Sequence, residues 1–92
     1  MADPITLRVM TDAGVAIEDQ AVSIIAPGEV GYLGILRNHA PLVTTLQPGK
    51  LIWRNASGQS GTVFVADGLL EIAKNHLTIL TTSVSESAPA AL

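Results

Sequence analysis

The sequence contains no cysteine, and its aromatic content is one tryptophan, one tyrosine and one phenylalanine. Without cysteine there are no disulfides, no thiolate nucleophile and no sulfur-ligated metal. Basic residues are few, five in all, scattered as Arg8, Arg37, Lys50, Arg54 and Lys74 in a chain of formal net charge −3. No basic stripe exists to neutralise phosphates, so nucleic acid is not an expected partner. No apolar run approaches the roughly 18 to 20 residues that a membrane-crossing helix needs. Met1 to Thr6, with Asp3 and Pro4, lacks the charged start and apolar core of a signal peptide. Any membrane contact is therefore expected to come through partners.

What the chain does have is 92 residues, enough for one domain, and a hydrophobic fraction of 48%. A fold of this size hides only about 60 to 65% of the surface its extended chain exposes. Part of the apolar surplus should stay outside, and contiguous exposed apolar surface marks a partner interface.

Short apolar segments alternate with turn chemistry at intervals of about 8 to 12 residues, a spacing that suits an all-β sandwich or barrel. Strands are predicted over residues 5–10, 15–17, 21–26, 30–35, 41–46, 50–54, 62–66, 69–73 and 77–82, with Glu18 and Asp19 breaking the second from the third. Pro27-Gly28-Glu29 and Gln47-Pro48-Gly49 read as turns, because proline fixes φ and glycine frees the next residue. Gly31 and Gly34 inside a strand suggest a bulge or a backbone at close range. Residues 55–61 read as a hairpin loop, Asp67-Gly68 as a tight hairpin turn, Lys74-Asn75 as another turn and Arg37-Asn38-His39 as a polar loop tip. Leu46 and Phe64 are candidate core residues. The domain is expected to span residues 1–84, with a flexible tail over 85–92 rich in Ser, Ala and Pro.

Catalytic patterns are hard to find. His39 and His76 are the only histidines, and neither has a second strong ligand at metal-site spacing. No Gly-x-Ser-x-Gly stretch occurs, and Ser57-Gly58-Gln59-Ser60-Gly61 has the wrong order for a nucleophile elbow. Asp67 and Glu71 stand about 13 Å apart if both lie on one strand, which is far for an acid and base pair. Gly28, Gly31 and Gly34 match neither nucleotide fingerprint. Asn55-Ala56-Ser57 matches the glycosylation pattern only on a secreted chain. Three readings are open to these residues: an interaction subunit, a carrier module bearing a prosthetic group on Lys50, and a small enzyme around His39 and Asp67. Composition favours the first.

Three stretches in order carry a resemblance: Ala26-Pro27-Gly28-Glu29-Val30-Gly31-Tyr32-Leu33-Gly34-Ile35-Leu36, Asn38-His39-Ala40-Pro41-Leu42 and Thr45-Leu46-Gln47-Pro48-Gly49. With Asp67-Gly68-Leu69-Leu70-Glu71-Ile72 and Asn75-His76-Leu77-Thr78-Ile79-Leu80 downstream, the set resembles the N-terminal domain of the epsilon subunit of F-type ATP synthases. The resemblance implies a two-sheet β-sandwich of about ten short strands, without the C-terminal helical hairpin that longer members carry. It implies a non-catalytic rotor subunit of a proton-translocating synthase, with no cofactor. That subunit binds the gamma subunit and the c-ring, couples ion flow to ATP synthesis, and meets the catalytic alpha and beta subunits through the complex. The implied location is peripheral, on the cytoplasmic face of the bacterial inner membrane. By the same resemblance Glu29, Tyr32, Arg37 and His39 are candidates for contact with the c-ring. Gly28, Gly31, Gly34, Pro41, Pro48, Gly49 and Gly68 are implied as structural turn residues. Tyr32 stands where the family often has an acidic or other polar residue, so an aromatic contact with a polar tip replaces a charged one.

Overall fold

Side chains that alternate apolar and polar at period two can bury one face of an extended chain, and this sequence does so almost throughout. A computed structural model describes residues 3–86. Nine strands occur among them: β1 Ile5–Thr11, β2 Gly14–Gly28, β3 Gly31–Leu36, β4 Leu42–Leu46, β5 Gly49–Asn55, β6 Ser60–Val65, β7 Gly68–Ala73, β8 His76–Thr81 and β9 Val84–Ser85. No helix is present among the described residues. The tail expected over residues 85–92 falls mostly outside them, but Ser85 is in β9, paired with Phe64 of β6.

The pairings give two layers. The first half of β2 pairs with β1, whose sheet continues through β8 and β7 to β4, while its second half pairs with β3 and with β5, whose sheet continues to β6 and β9; the last residue of β2, Gly28, also meets Leu46 of β4. β2 therefore belongs to both sheets. All pairings are antiparallel except β1 with β8, which runs parallel from Thr6 opposite His76 to Met10 opposite Leu80. Between the layers lies one apolar core that includes Ile5, Leu7 and Val9 of β1, Ile24 of β2, Ile35 of β3, Leu51 and Trp53 of β5, Leu70 and Ile72 of β7, and Leu77 and Ile79 of β8.

The expected break at Glu18 and Asp19 is not there, and the reason is that both carboxylates have partners. Arg8, opposite Glu18 in the ladder, donates to its Oε2 from Nη2 at 2.8 Å and from Nε at 3.1 Å. Asp19 Oδ2 accepts the indole N–H of Trp53 at 2.8 Å, joining the two layers. The strand bends instead where the registers slip, between Val9 and Met10 against β1 and between Ala21 and Ser23 against β5. Ala16 and Val22 are the extra residues at those bulges, which increase twist and let one strand turn from sheet to sheet.

Three further expectations change. Asp67-Gly68 is not a hairpin turn, since β6 pairs with β5 and β9 while β7 pairs with β4 and β8; the chain crosses between layers there. The crossing is fastened by buried Thr81, whose Oγ1 lies 3.1 Å from the Ala66 carbonyl and 3.0 Å from that of Asp67. Gly34 is neither a turn nor a bulge but a regular partner of Ile25, with open space over its Cα. Leu46 is in the core, but Phe64 is not: it is half-buried on the outer face, with Lys50 Nζ 5.8 Å from its ring centre. Val63 and Val65 take the inward positions of that strand.

Candidate partner-binding surfaces

β3 separates the four residues expected at the c-ring. Glu29 and Val30 form the two-residue turn of the β2–β3 hairpin, closed by the pairing of Gly28 with Gly31. Gly31 has φ 131°, a conformation that glycine adopts without steric cost. Val30 is 99% exposed, and Tyr32 is the second residue of the return strand. Arg37 and His39 follow the far end of β3, about 17 Å away at a strand rise near 3.3 Å per residue. The structure brings Glu29 and Tyr32 together, and Arg37 and His39 together, at opposite ends.

Each end is held by specific bonds. At the hairpin end the Tyr32 hydroxyl accepts the Lys50 backbone N–H at 3.1 Å, and the Gln47 N–H donates to the Pro27 carbonyl at 2.9 Å. Gly49 allows this approach: a Cβ there would lie 2.8 Å from the Tyr32 oxygen and 2.9 Å from Pro27 Cβ. Pro48 precedes it in the β4–β5 link, and Gly68 opens β7 beside Leu46. At the other end His39 N–H donates to the Leu36 carbonyl at 3.2 Å, and its Nδ1 donates to the Ala40 carbonyl at 2.6 Å. A carbonyl only accepts, so the proton is on Nδ1 and Nε2 is left for other contacts. Pro41 then leads into β4.

The outer faces are more apolar than strict alternation would give. On the first sheet Val43, Leu69, Glu71, Thr78 and Leu80 line a shallow groove, with Val43 61% exposed. In ladder register this band continues from Leu80 to Met10 of β1 and Val15 of β2. On the second sheet Ile25, Tyr32 and Leu36 are exposed. Neither face was assigned from the sequence, yet a signal was present. Doublets such as Leu42-Val43, Leu69-Leu70 and Ile79-Leu80 place one apolar residue inward and one outward, which a strand with a single buried face does not need.

The catalytic and carrier readings find little support in these positions. Among the described residues no three His, Cys, Asp or Glu side chains gather as a metal site would require. β4 separates His39, before its start, from Asp67, beside its end. Glu71 faces outward between Val43 and Thr78. Lys50 is inside β5, opposite Phe64, and not at a hairpin tip. A cleft of about 520 Å³ opens beside Ile17, Trp53, Val63 and Val84, with Glu86 at its rim. Among the described residues Thr62 and Glu86 supply the one hydroxyl and the one carboxylate side chain of its lining, and no histidine or lysine lines it.

A small two-layer sandwich with apolar outer faces and polar, well-fastened loop ends defines a class, the small all-β sandwich domain. Residues 4–87 match the family model described as the ATP synthase delta/epsilon chain, β-sandwich domain, and the chain belongs to that family. It is 35% identical over 83 residues to the ATP synthase epsilon chain of Desulfosudis oleivorans, covering 90% of this chain and 62% of that one. Against the epsilon chain of Acidithiobacillus ferridurans it is 39% identical over 87 residues, covering 95% and 61%. It thus spans less than two thirds of the length of the curated relatives it matches. In backbone it superposes on a chain of the Euglena gracilis mitochondrial ATP synthase with a TM-score of 0.83 at 19% identity, covering 91% of this chain and 54% of that one. A chain of the central stalk and c-ring structure of Tetrahymena thermophila mitochondrial ATP synthase gives 0.74 at 18% identity, covering 92% and 68%. At such identities the likeness is one of fold.

Proposed function

We propose that this chain is a non-catalytic rotor subunit of a proton-translocating F-type ATP synthase. It binds the gamma subunit and the c-ring, meets the alpha and beta subunits through the complex, and rests peripherally on the cytoplasmic face of a bacterial inner membrane. The observation that carries this reading is family membership over nearly the whole chain, supported by a fold shared with chains of ATP synthase structures that include a c-ring. A close-packed sandwich deforms little under load and can pass torque between partners.

The two ends receive different partners. A ring of polar loops would meet one end of the domain, and the β2–β3 turn presents the almost fully exposed Val30 there, so Glu29, Val30 and Tyr32 are assigned to the c-ring. The loop of Arg37 and His39 adjoins Leu36 on one outer face and Val43 on the other. Large apolar areas suit a lasting protein partner rather than polar loop tips, so this loop and the first sheet's outer face are assigned to gamma. Two substitutions test the division by co-purification with gamma and with the c-ring. Leu80→Glu should remove gamma from a folded chain, whereas Val30→Asp should keep gamma and weaken retention of the ring. A folded wild-type chain that captures neither partner refutes the whole reading.

A further inference from the structure

Among the described residues three that are not glycine have positive φ: Asn38 at 66°, Lys74 at 52° and Asn75 at 60°. Asparagine tolerates this left-handed region better than most residues. Lys74 and Asn75 form the two-residue turn between β7 and β8, closed by the pairing of Ala73 with His76; two successive positive φ values match the strand twist of such hairpins. Asn38 lies in the other loop, 37 residues away in sequence, and the two asparagines meet. The Asn38 backbone N–H donates to Asn75 Oδ1 at 2.7 Å, and Asn75 Nδ2 donates to Asn38 Oδ1 at 3.1 Å. An N–H requires an acceptor, which fixes the orientation of the Asn75 amide. The Asn75 carbonyl also accepts the Thr6 N–H at 2.8 Å, where β1 begins. One residue therefore fastens three segments.

We propose that Asn75 is the positioning residue of the 37–40 loop, holding Arg37 and His39 in the one arrangement that the gamma subunit recognises. The inference rests on the assignment of this loop to gamma. Among the described residues the loop's other bonds outside the ladder are the short-range ones of His39 to Leu36 and Ala40, which do not tie it to the opposite sheet. The Asn38–Asn75 pair supplies that tie. A loop that spends only a fraction of its time in the binding form loses affinity by that fraction.

The test uses the full chain and purified gamma. Asn75→Gly keeps the turn, since glycine accepts φ near 60°, and keeps the carbonyl for Thr6, removing only the amide side chain. It should weaken gamma binding by about tenfold, as for a loop in its binding form one-tenth of the time. Asn38 amide exchange should quicken by a similar factor, while the thermal midpoint falls by less than about 5 °C. Asn75→Asp, which keeps the acceptor for Asn38 N–H, should restore most of the affinity. Unchanged gamma affinity in Asn75→Gly overturns the proposal if the double variant Arg37→Ala/His39→Ala is weakened. If the double variant also binds normally, the assignment of the loop to gamma is what fails. Should Asn75→Gly not fold, exchange in the wild-type chain decides: an unprotected Asn38 amide refutes the tie.

Discussion

Trp53 brings an indole N–H into the space between the layers, and a buried donor without an acceptor costs about 1 to 3 kcal/mol. Asp19 removes that cost at 2.8 Å. Trp53→Phe, which leaves the Asp19 oxygen without its partner, should lower stability by about 1 to 3 kcal/mol, read as a fall in urea midpoint at constant slope. Leu46, at 2% exposure, should cost about 2 to 5 kcal/mol when cut to alanine. Phe64→Ala on the half-buried outer face should cost clearly less, and equal costs for the two would contradict the placement of Phe64. Gly49→Val should destabilise by driving Tyr32 and Pro27 apart, while Gly34→Val, with nothing within 4 Å of its Cβ, should leave the thermal midpoint nearly unchanged.

At the scale of elements, the long β2 determines how the two sheets close on each other. Deleting Val22, the residue set aside at the second bulge, would pull the flanking residues into a register where inward and outward side chains exchange places. We expect the thermal midpoint to fall by roughly 10 °C or more, as for a loss of about 2 kcal/mol in a domain this size. An unchanged midpoint would mean that the bulge migrates freely. The strands themselves were legible because period-two patterning is local. Their pairing was not: Asp67-Gly68 has hairpin chemistry, and only the global order of strands makes it a crossing between layers. Glu18 and Asp19 misled for a related reason, since Arg8 and Trp53, 10 and 34 residues away, become their partners only once the strands pair. The candidate surface was half legible. The family motifs marked Glu29, Tyr32, Arg37 and His39, but nothing in their spacing told that β3 would hold them a strand-length apart. Asn38 and Asn75 each read as an ordinary turn residue until the fold placed one against the other.

For the molecule as a whole, the arrangement is a close-packed body with distinct ends and faces, which is what the proposed rotor role would require. Rigidity makes the two assigned contacts separable. Val30→Asp and Leu80→Glu involve residues on different elements with no shared partner, so their effects on stability should add within about 0.5 kcal/mol. A calorimetric comparison of both single variants with the double variant checks this.

The parallel seam between β1 and β8 bears on how the subunit is made. Thr6 must find His76, 70 residues later in the chain, before the first strand has its neighbour on that side. Pairings so distant in sequence form slowly because a long loop must close first. On the ribosome, β1 emerges well before β8 and pairs only with β2 until β8 has been synthesised. The fold is completed only after translation has passed β8, so any partner that recognises the finished sandwich must meet it after that point.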